Sequence, residues 1–468
     1  MKIYSRTPEF MRVLGFCKNL NVKIKNVEFI NVKLPEEIVR EEYLGNFNQA
    51  NHLIERWLER RLPNDLRMRL IFEKERVKRL LKNYHYDEET AINKARELID
   101  NFTNEEFYTL RDKGFLDYIM VDGKRMYEER FVQNIAYAIP DYQKRMKKDK
   151  SREESRNLND NRLGELLNGD KPKEYKVRAK ISLKIVEDIE EEKVKVWLPF
   201  PKEEFQQKDV KLVSASHEKY FLASSDIPQR TIYFEGKKEN EYFVEFEYVI
   251  KEWVNTVVPA NTEEINNYDF LSEEPPHIIF TPYLKKLAKE IVGDEKNPYL
   301  KAKKIYDWIT LNVNYSYVHP YALYENIPEF VACNLKGDCG FQALLFITLC
   351  RIVGIPARWQ SGWYITPFLA SPHDWALFFI PPYGWLPADL SFGGRYKNNQ
   401  ELREFYFGNL DAFRMVANSD FMKDFTPKKV FWRNDPYDNQ VGEAETEHKN
   451  IYDFKYEIQV LDFKEIRR

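Results

Sequence analysis

Apolar side chains recur at two different spacings along this chain, and the change of spacing divides it. From about residue 35 to 150 the period is helical. Ile54, Trp57 and Leu58 share one face with Glu and Arg opposite, and Leu66, Leu70, Val77 and Leu81 continue the pattern. Thr103 with Glu106 three residues later is a capping box that predicts a helix start, and Gly114 fits a helix end. Asp122–Gly123 between two short apolar runs predicts a β-hairpin. Residues 144–172 are charged and poor in apolar side chains, so they read as a solvated helix end and linker.

From 173 the period becomes two. Val177, Ala179, Ile181, Leu183 and Ile185 alternate with charged or polar partners. Val194, Val196 and Leu198, then Tyr242, Val244, Phe246, Tyr248 and Ile250, repeat the alternation, which predicts an antiparallel β-sandwich. Helical spacing returns at Thr281–Pro282, an N-cap followed by proline at the first helical position, and again at Asn297–Pro298. A third apolar run starts at "GDCGFQALLF" and is followed by the β-like segments "RWQSGWYI", "HDWALFFI" and "GWLPADLS". Helices followed by strands predict an α+β domain. The tail ends in an alternating strand, "FKYEIQVLDF". The expected organisation is therefore a mainly helical domain over 1–165, a β-sandwich over 173–255, and an α+β domain over 256–468 with a C-terminal β extension.

Composition narrows the classes of function. Lys+Arg 72 against Asp+Glu 75 gives a net charge of −3 in 468 residues, so nothing draws the whole molecule to nucleic acid or to a membrane. Four cysteines, Cys17, Cys333, Cys339 and Cys350, are too few for a disulfide framework, and C-x5-C without a second pair does not read as a zinc site. The N-terminal apolar patch is interrupted by Arg12 and falls short of a secretory core of roughly 7–15 apolar residues. No run approaches the roughly 20 apolar residues of a membrane span. The expectation is a cytoplasmic protein with reduced thiols. The sequence is silent on oligomeric state.

The chemistry centres on Cys339. It lies after Gly337–Asp338 and before Gly340, at the head of an apolar run. In the first turn of a helix a cysteine feels the positive end of the macrodipole, which favours thiolate, and unused N–H groups there can stabilise an oxyanion. The segment alone reads equally well as a small buried residue at a helix start. Cys350 reads as core and Cys333 as a loop thiol. A nucleophilic cysteine needs a base, and the base an orienting group. His373 stands at the head of one predicted strand and Asp389 follows the next, after a turn at Tyr383–Gly384, so a hairpin would set them side by side. Asp374 is a rival carboxylate, expected on the opposite face of the strand from His373. Asn409, Asp411 and Arg414 form a polar group downstream that reads as a turn or as the wall of a cleft.

The blocks "GDCGFQALLFITLCRIVGIPAR", "PHDWALFFI" and "GWLPADLS" resemble the three motif blocks of the transglutaminase-like superfamily, over roughly residues 275–395. The resemblance implies a papain-like α+β core with Cys339 as nucleophile, His373 as general base and acid, and Asp389 as orienter. It implies no metal and no organic cofactor. It implies a peptide or protein amide as substrate, cleaved through a thioester. Hydrolysis is the expected outcome. Protein crosslinking (a protein-glutamine γ-glutamyltransferase) and a non-catalytic binding or scaffold role are the alternatives. The β-rich segment with "VWLPFP" resembles the sandwich domain that precedes such cores.

Overall fold

The computed structural model describes residues 32–189, 193–266, 269–324, 326–433 and 437–466. The N-terminal apolar patch and Cys17 lie outside them. Two compact units emerge. The first takes the described residues up to Lys148, together with Glu274–Ile279 and Asn314–Ile327. The second takes Asp149–Glu273, Phe280–Val313 and the chain from Pro328 onward.

The first unit is mainly helical: α1 (Glu36–Tyr43), α2 (Phe47–Leu58), α3 (Asn64–Asn83), α4 (Glu88–Leu98), α5 (Asn104–Asp112), α6 (Phe131–Ala138) and α7 (Pro140–Arg145), with a small sheet of β1 (Tyr84–Tyr86), β2 (Tyr118–Val121) and β3 (Lys124–Glu128). The capping box of α5 is formed in both directions, Thr103 to the Glu106 N–H and Glu106 back to the Thr103 N–H. Strands β2 and β3 pair across Asp122 and Gly123, both at positive φ as a tight hairpin requires. Ile92, Phe107, Tyr127, Phe131 and Ile135 belong to one apolar cluster of this unit. Beside the apolar clusters runs a buried ion network in which Arg76 bridges Glu42 and Glu73, and Arg69 also meets Glu73.

The second unit opens with α8 (Lys150–Leu167), where a solvated linker was expected. The helix has few apolar residues because it buries polar ones. Ser155 bonds Thr366 at 2.6 Å, Asn159 donates to Asp411 at 2.9 Å, and Arg162 forks onto Glu252 at 2.6 and 2.7 Å. The division between units accordingly falls after Lys148, earlier than the expected end of the helical domain at 165.

Strands β4 (Glu174–Ile185), β5 (Lys193–Pro199), β6 (Gln207–Ala215), β7 (Phe221–Leu222), β8 (Thr231–Lys237) and β9 (Tyr242–Lys251) build the sandwich. Helices α9 (Pro282–Val292), α10 (Pro298–Asn312) and α11 (Cys339–Ile352) follow. Next come β10 (Ala357–Thr366), β11 (Leu369–Ile380), β12 (Gly384–Ala388), the short α12 (Leu390–Arg395) and β13 (Arg414–Asn418), which form one antiparallel sheet in the order β12-β11-β10-β13. Helix α11 packs on this sheet, with Phe346 edge-on to Phe378 of β11. The architecture is α+β.

The tail does not extend the α+β layer. Strands β14 (Glu443–Thr446) and β15 (Asn450–Ile451) join one sandwich sheet, in the order β15-β14-β5-β8-β7. Strand β16 (Phe454–Glu465) pairs with β4 and completes the other, in the order β16-β4-β9-β6. One hydrophobic cluster joins the sandwich interior to Trp363 and Ile365 of β10 and Met415 and Ala417 of β13. Sandwich and α+β layer thus share a core, which is why they form one unit.

Candidate functional site

Cys339 is the first residue of α11, and Asp338 caps that helix by accepting from the Phe341 N–H at 2.9 Å. The preceding Gly337 has no room for a side chain, since a Cβ there would lie 2.7 Å from Cβ of Phe341. From Cys339 to Arg351 every residue of the helix is buried, so its reactive end is held by packing along the whole length. Cys339 as a whole is only 8% exposed.

His373 lies on β11, paired in register with Gly362 of β10. Asp389 follows β12 and caps α12 through the Phe392 N–H. The hairpin of β11 and β12 brings the two side chains together, with His373 Nε2 2.7 Å from Asp389 Oδ2. A third group stands behind them. Arg414 of β13 donates from Nε to the same Asp389 oxygen at 3.0 Å and from Nη1 to Asp411 Oδ1 at 2.8 Å. Asp389 and Arg414 are both 0% exposed. Burial alone would raise the Asp389 pKa, but the charges of His373 and Arg414 and the Phe392 N–H bring it down to about 2. The Phe392 ring packs against the imidazole and lies under the Arg414 guanidinium, 3.9 Å from its centroid.

The sequence residues are therefore brought together in part. His373 and Asp389 meet directly. Cys339 donates its thiol hydrogen bond to Asp374 Oδ2 at 3.3 Å and not to His373. Neighbouring strand residues point to opposite faces, and the two keep separate partners: Asp389 for His373, Cys339 for Asp374. The other Asp374 oxygen accepts from Gln440 at 2.6 Å, and Gln440 also donates to the His373 carbonyl at 3.1 Å. Asp374 is further hydrogen-bonded to Asp438, which Ser361 anchors at 2.6 Å.

This arrangement reverses the electrostatic expectation for the thiol. Burial pushes the Cys339 pKa well above the ordinary thiol value, Asp374 and Asp338 push it further, and the Asp374 N–H opposes them only in part. Asp374 is itself pushed up by burial and by Asp438. Cys350 is a buried core thiol, and Cys333 is exposed. Sequence reasoning missed the roles of Arg414, Asp374, Asp438 and Gln440. The polar run Asn409, Asp411, Arg414 and the place of Asp374 on the strand face opposite His373 were the local signals.

An open cavity of about 460 Å³ lies at the other end of α11, against Ile352 and Val353 and beside Lys285, Lys289, Lys296 and Lys301. The thiol and Ile352 stand at opposite ends of this 14-residue helix, roughly 20 Å of rise apart, so the cavity is not part of this site. Among the described residues, no group of three or more His, Cys, Asp or Glu is disposed to hold a metal ion, and no helix is long and apolar enough to cross a membrane.

Residues 285–390 match the family model of the transglutaminase-like superfamily. The matched stretch contains Cys339, His373 and Asp389. An uncharacterized protein of Haemophilus influenzae is 24% identical over 170 residues, which are 29% of this chain and 46% of that protein. The chain thus spans about half the length of the curated relative it matches. Among solved structures, a candidate cysteine protease from Cytophaga hutchinsonii has 16% identity, covering 63% of this chain and 92% of its own, with a TM-score of 0.40. The periplasmic domain of TgpA from Pseudomonas aeruginosa has 15% identity, covering 48% of this chain and 91% of its own, with a TM-score of 0.27.

Proposed function

We propose that this chain is a thiol-dependent hydrolase of peptide or other amide bonds, with Cys339 as nucleophile, His373 as base and acid, and Asp389 as the residue that orients the imidazole. The observation that carries the reading is the buried 2.7 Å bond between His373 and Asp389, in the same matched stretch that sets Cys339 at a helix start. Asp389 occupies Nε2, so Nδ1 is the ring nitrogen that serves the thiol. The Cys339 proton passes to Nδ1, and the thiolate attacks the amide carbonyl. N–H groups of the first turn of α11 have no intrahelical acceptor and face the developing oxyanion by position. The imidazolium, held by Asp389, gives its proton to the departing amine, leaving a thioester on Cys339. Water then attacks, His373 takes its proton, and the acid leaves as the thiol is restored. A cytoplasmic setting, in which thiols stay reduced, suits this chemistry.

The test is cleavage of a peptide library by the full chain and by its variants, with a primary amine present in parallel. Cys339→Ala should abolish turnover with the melting temperature unchanged, and His373→Ala should cost at least about a thousandfold in kcat. Asp389→Ala should lose less than Cys339→Ala. Amine incorporation that outpaces amide hydrolysis would replace the hydrolytic reading with crosslinking. Turnover that survives Cys339→Ala would end both.

A further inference from the structure

We propose that Asp374 is a positioning residue for the nucleophile: at rest it holds the Cys339 thiol in place and keeps its proton on the sulfur. The proposal rests on the assignment of Cys339 and His373 as nucleophile and base. Its ground is geometric. The Cys339 thiol donates to Asp374 Oδ2, at 3.3 Å. The carboxyl is not free to turn away, because Gln440 binds its second oxygen at 2.6 Å and ties it to the β11 backbone through the His373 carbonyl at 3.1 Å. Asp438 closes the far side, fixed in turn by Ser361 at 2.6 Å, with Asn418 donating to Ser361 at 3.1 Å. This is a built shell with a polar contact on each side of the carboxyl.

The charges around the sulfur come from each element that faces it. Helix α11 contributes Asp338, already spent on the Phe341 N–H. Strand β11 contributes His373 and Asp374. The segment before β14 contributes Asp438, beside which stand Arg433 and Glu443. The Arg414 cation is engaged with Asp389 and Asp411. Two hydrogen-bonded buried carboxyls cannot both ionise at close range, so Asp374 and Asp438 hold about one proton between them. A thiolate beside that pair meets net negative charge in a desolvated site. The thiol proton is thus kept on sulfur, in agreement with the raised pKa of Cys339.

The proposal separates Asp374 from a merely structural residue by a pH profile. Asp374→Asn keeps the shape of the side chain but replaces one acceptor oxygen by an NH2 donor, and it confines the remaining charge of the pair to Asp438, away from the atom that accepts from the thiol. Alkylation of each thiol by iodoacetamide is followed against pH in the full-length chain by peptide mass mapping, with exposed Cys333 as internal reference. The Cys339 midpoint should fall by about one pH unit or more in Asp374→Asn, so that labelling at pH 7 quickens about tenfold. Asp374→Ala should shift the midpoint in the same direction and decides the matter if the amide disturbs packing. An unshifted Cys339 midpoint in both variants overturns the role of Asp374, whatever the activity of His373→Ala. Turnover that survives His373→Ala removes the base instead, and leaves the role of Asp374 at the thiol to the labelling midpoint. The labelling assay needs no substrate, so the two failures are told apart.

Discussion

Arg414 shows what the site asks of a single residue. Its guanidinium is fully buried between Asp389 and Asp411 and over the Phe392 ring. A buried cation with two carboxylates is costly to break, since removing one partner strands the others at about 3–5 kcal/mol. Lysine keeps the charge but lacks the planar fork. Arg414→Lys should therefore stay folded yet lose about tenfold in kcat with KM nearly unchanged, because the imidazole loses its fixed orientation while substrate contacts do not change. Steady-state kinetics checks this, and an unchanged kcat would show that Asp389 needs no second anchor. At this scale the sequence was readable where the pairing is local. His373 and Asp389 meet across one hairpin, and strand alternation set Asp374 apart from His373. Arg414 was not readable, because polar partners far apart in sequence, such as Asn159 and Asp411, follow no period. The expected low thiol pKa failed on magnitude. A helix terminus is worth about 0.3–1 kcal/mol, less than one pKa unit. Burial of a charged group moves a pKa by up to 3–5 units.

Among the elements, β10 does the most to assemble the site, since it lies between β11, which carries His373, and β13, which begins at Arg414. Gly362 is what lets β10 and β13 approach. A Cβ there would sit 2.1 Å from the Met415 carbonyl oxygen and 3.0 Å from the Ala417 nitrogen, both backbone atoms that cannot swing aside. Gly362→Ala should cost about 3 kcal/mol through overpacking. Gly236→Ala, at a strand position with nothing within 4 Å, should stay within about 0.5 kcal/mol. Denaturant melts of both variants test the contrast, and equal stabilities would refute it. The elements themselves were largely legible, because caps, strand alternation and the Asp122–Gly123 turn act over a few residues. Helix α8 was not. Its buried face is Ser155, Asn159, Arg162 and Leu163, so the apolar stripe that marks a helix is nearly absent.

For the whole molecule, the least legible feature is the destination of the tail. The alternation of Phe454, Tyr456, Ile458 and Val460 announces a strand but not its partner, because register with β4 is set by contacts some 270 residues apart, such as Tyr456 with Leu183. The return matters for the site. Strand β4 lies between β16 and β9, and its Val177, Ala179, Ile181 and Leu183 belong to the cluster that also holds Trp363 and Met415 of the α+β sheet. Ending the chain at Asp453 would strip β4 of its outer partner and leave unpaired N–H and C=O groups along its edge. It would also uncover the apolar contacts that Ile458 and Val460 make with the same cluster. Because that cluster is continuous from sandwich to α+β sheet, the damage should not stop at the sandwich. The truncated protein should melt earlier, self-associate through the exposed edge, and lose turnover and Cys339 protection in the same temperature range. Light scattering, melting and thiol labelling on one sample would check the coupling. A truncated protein that stayed monomeric and fully active would show that the α+β layer stands without the strand, and that the shared core is not what holds the nucleophile in place.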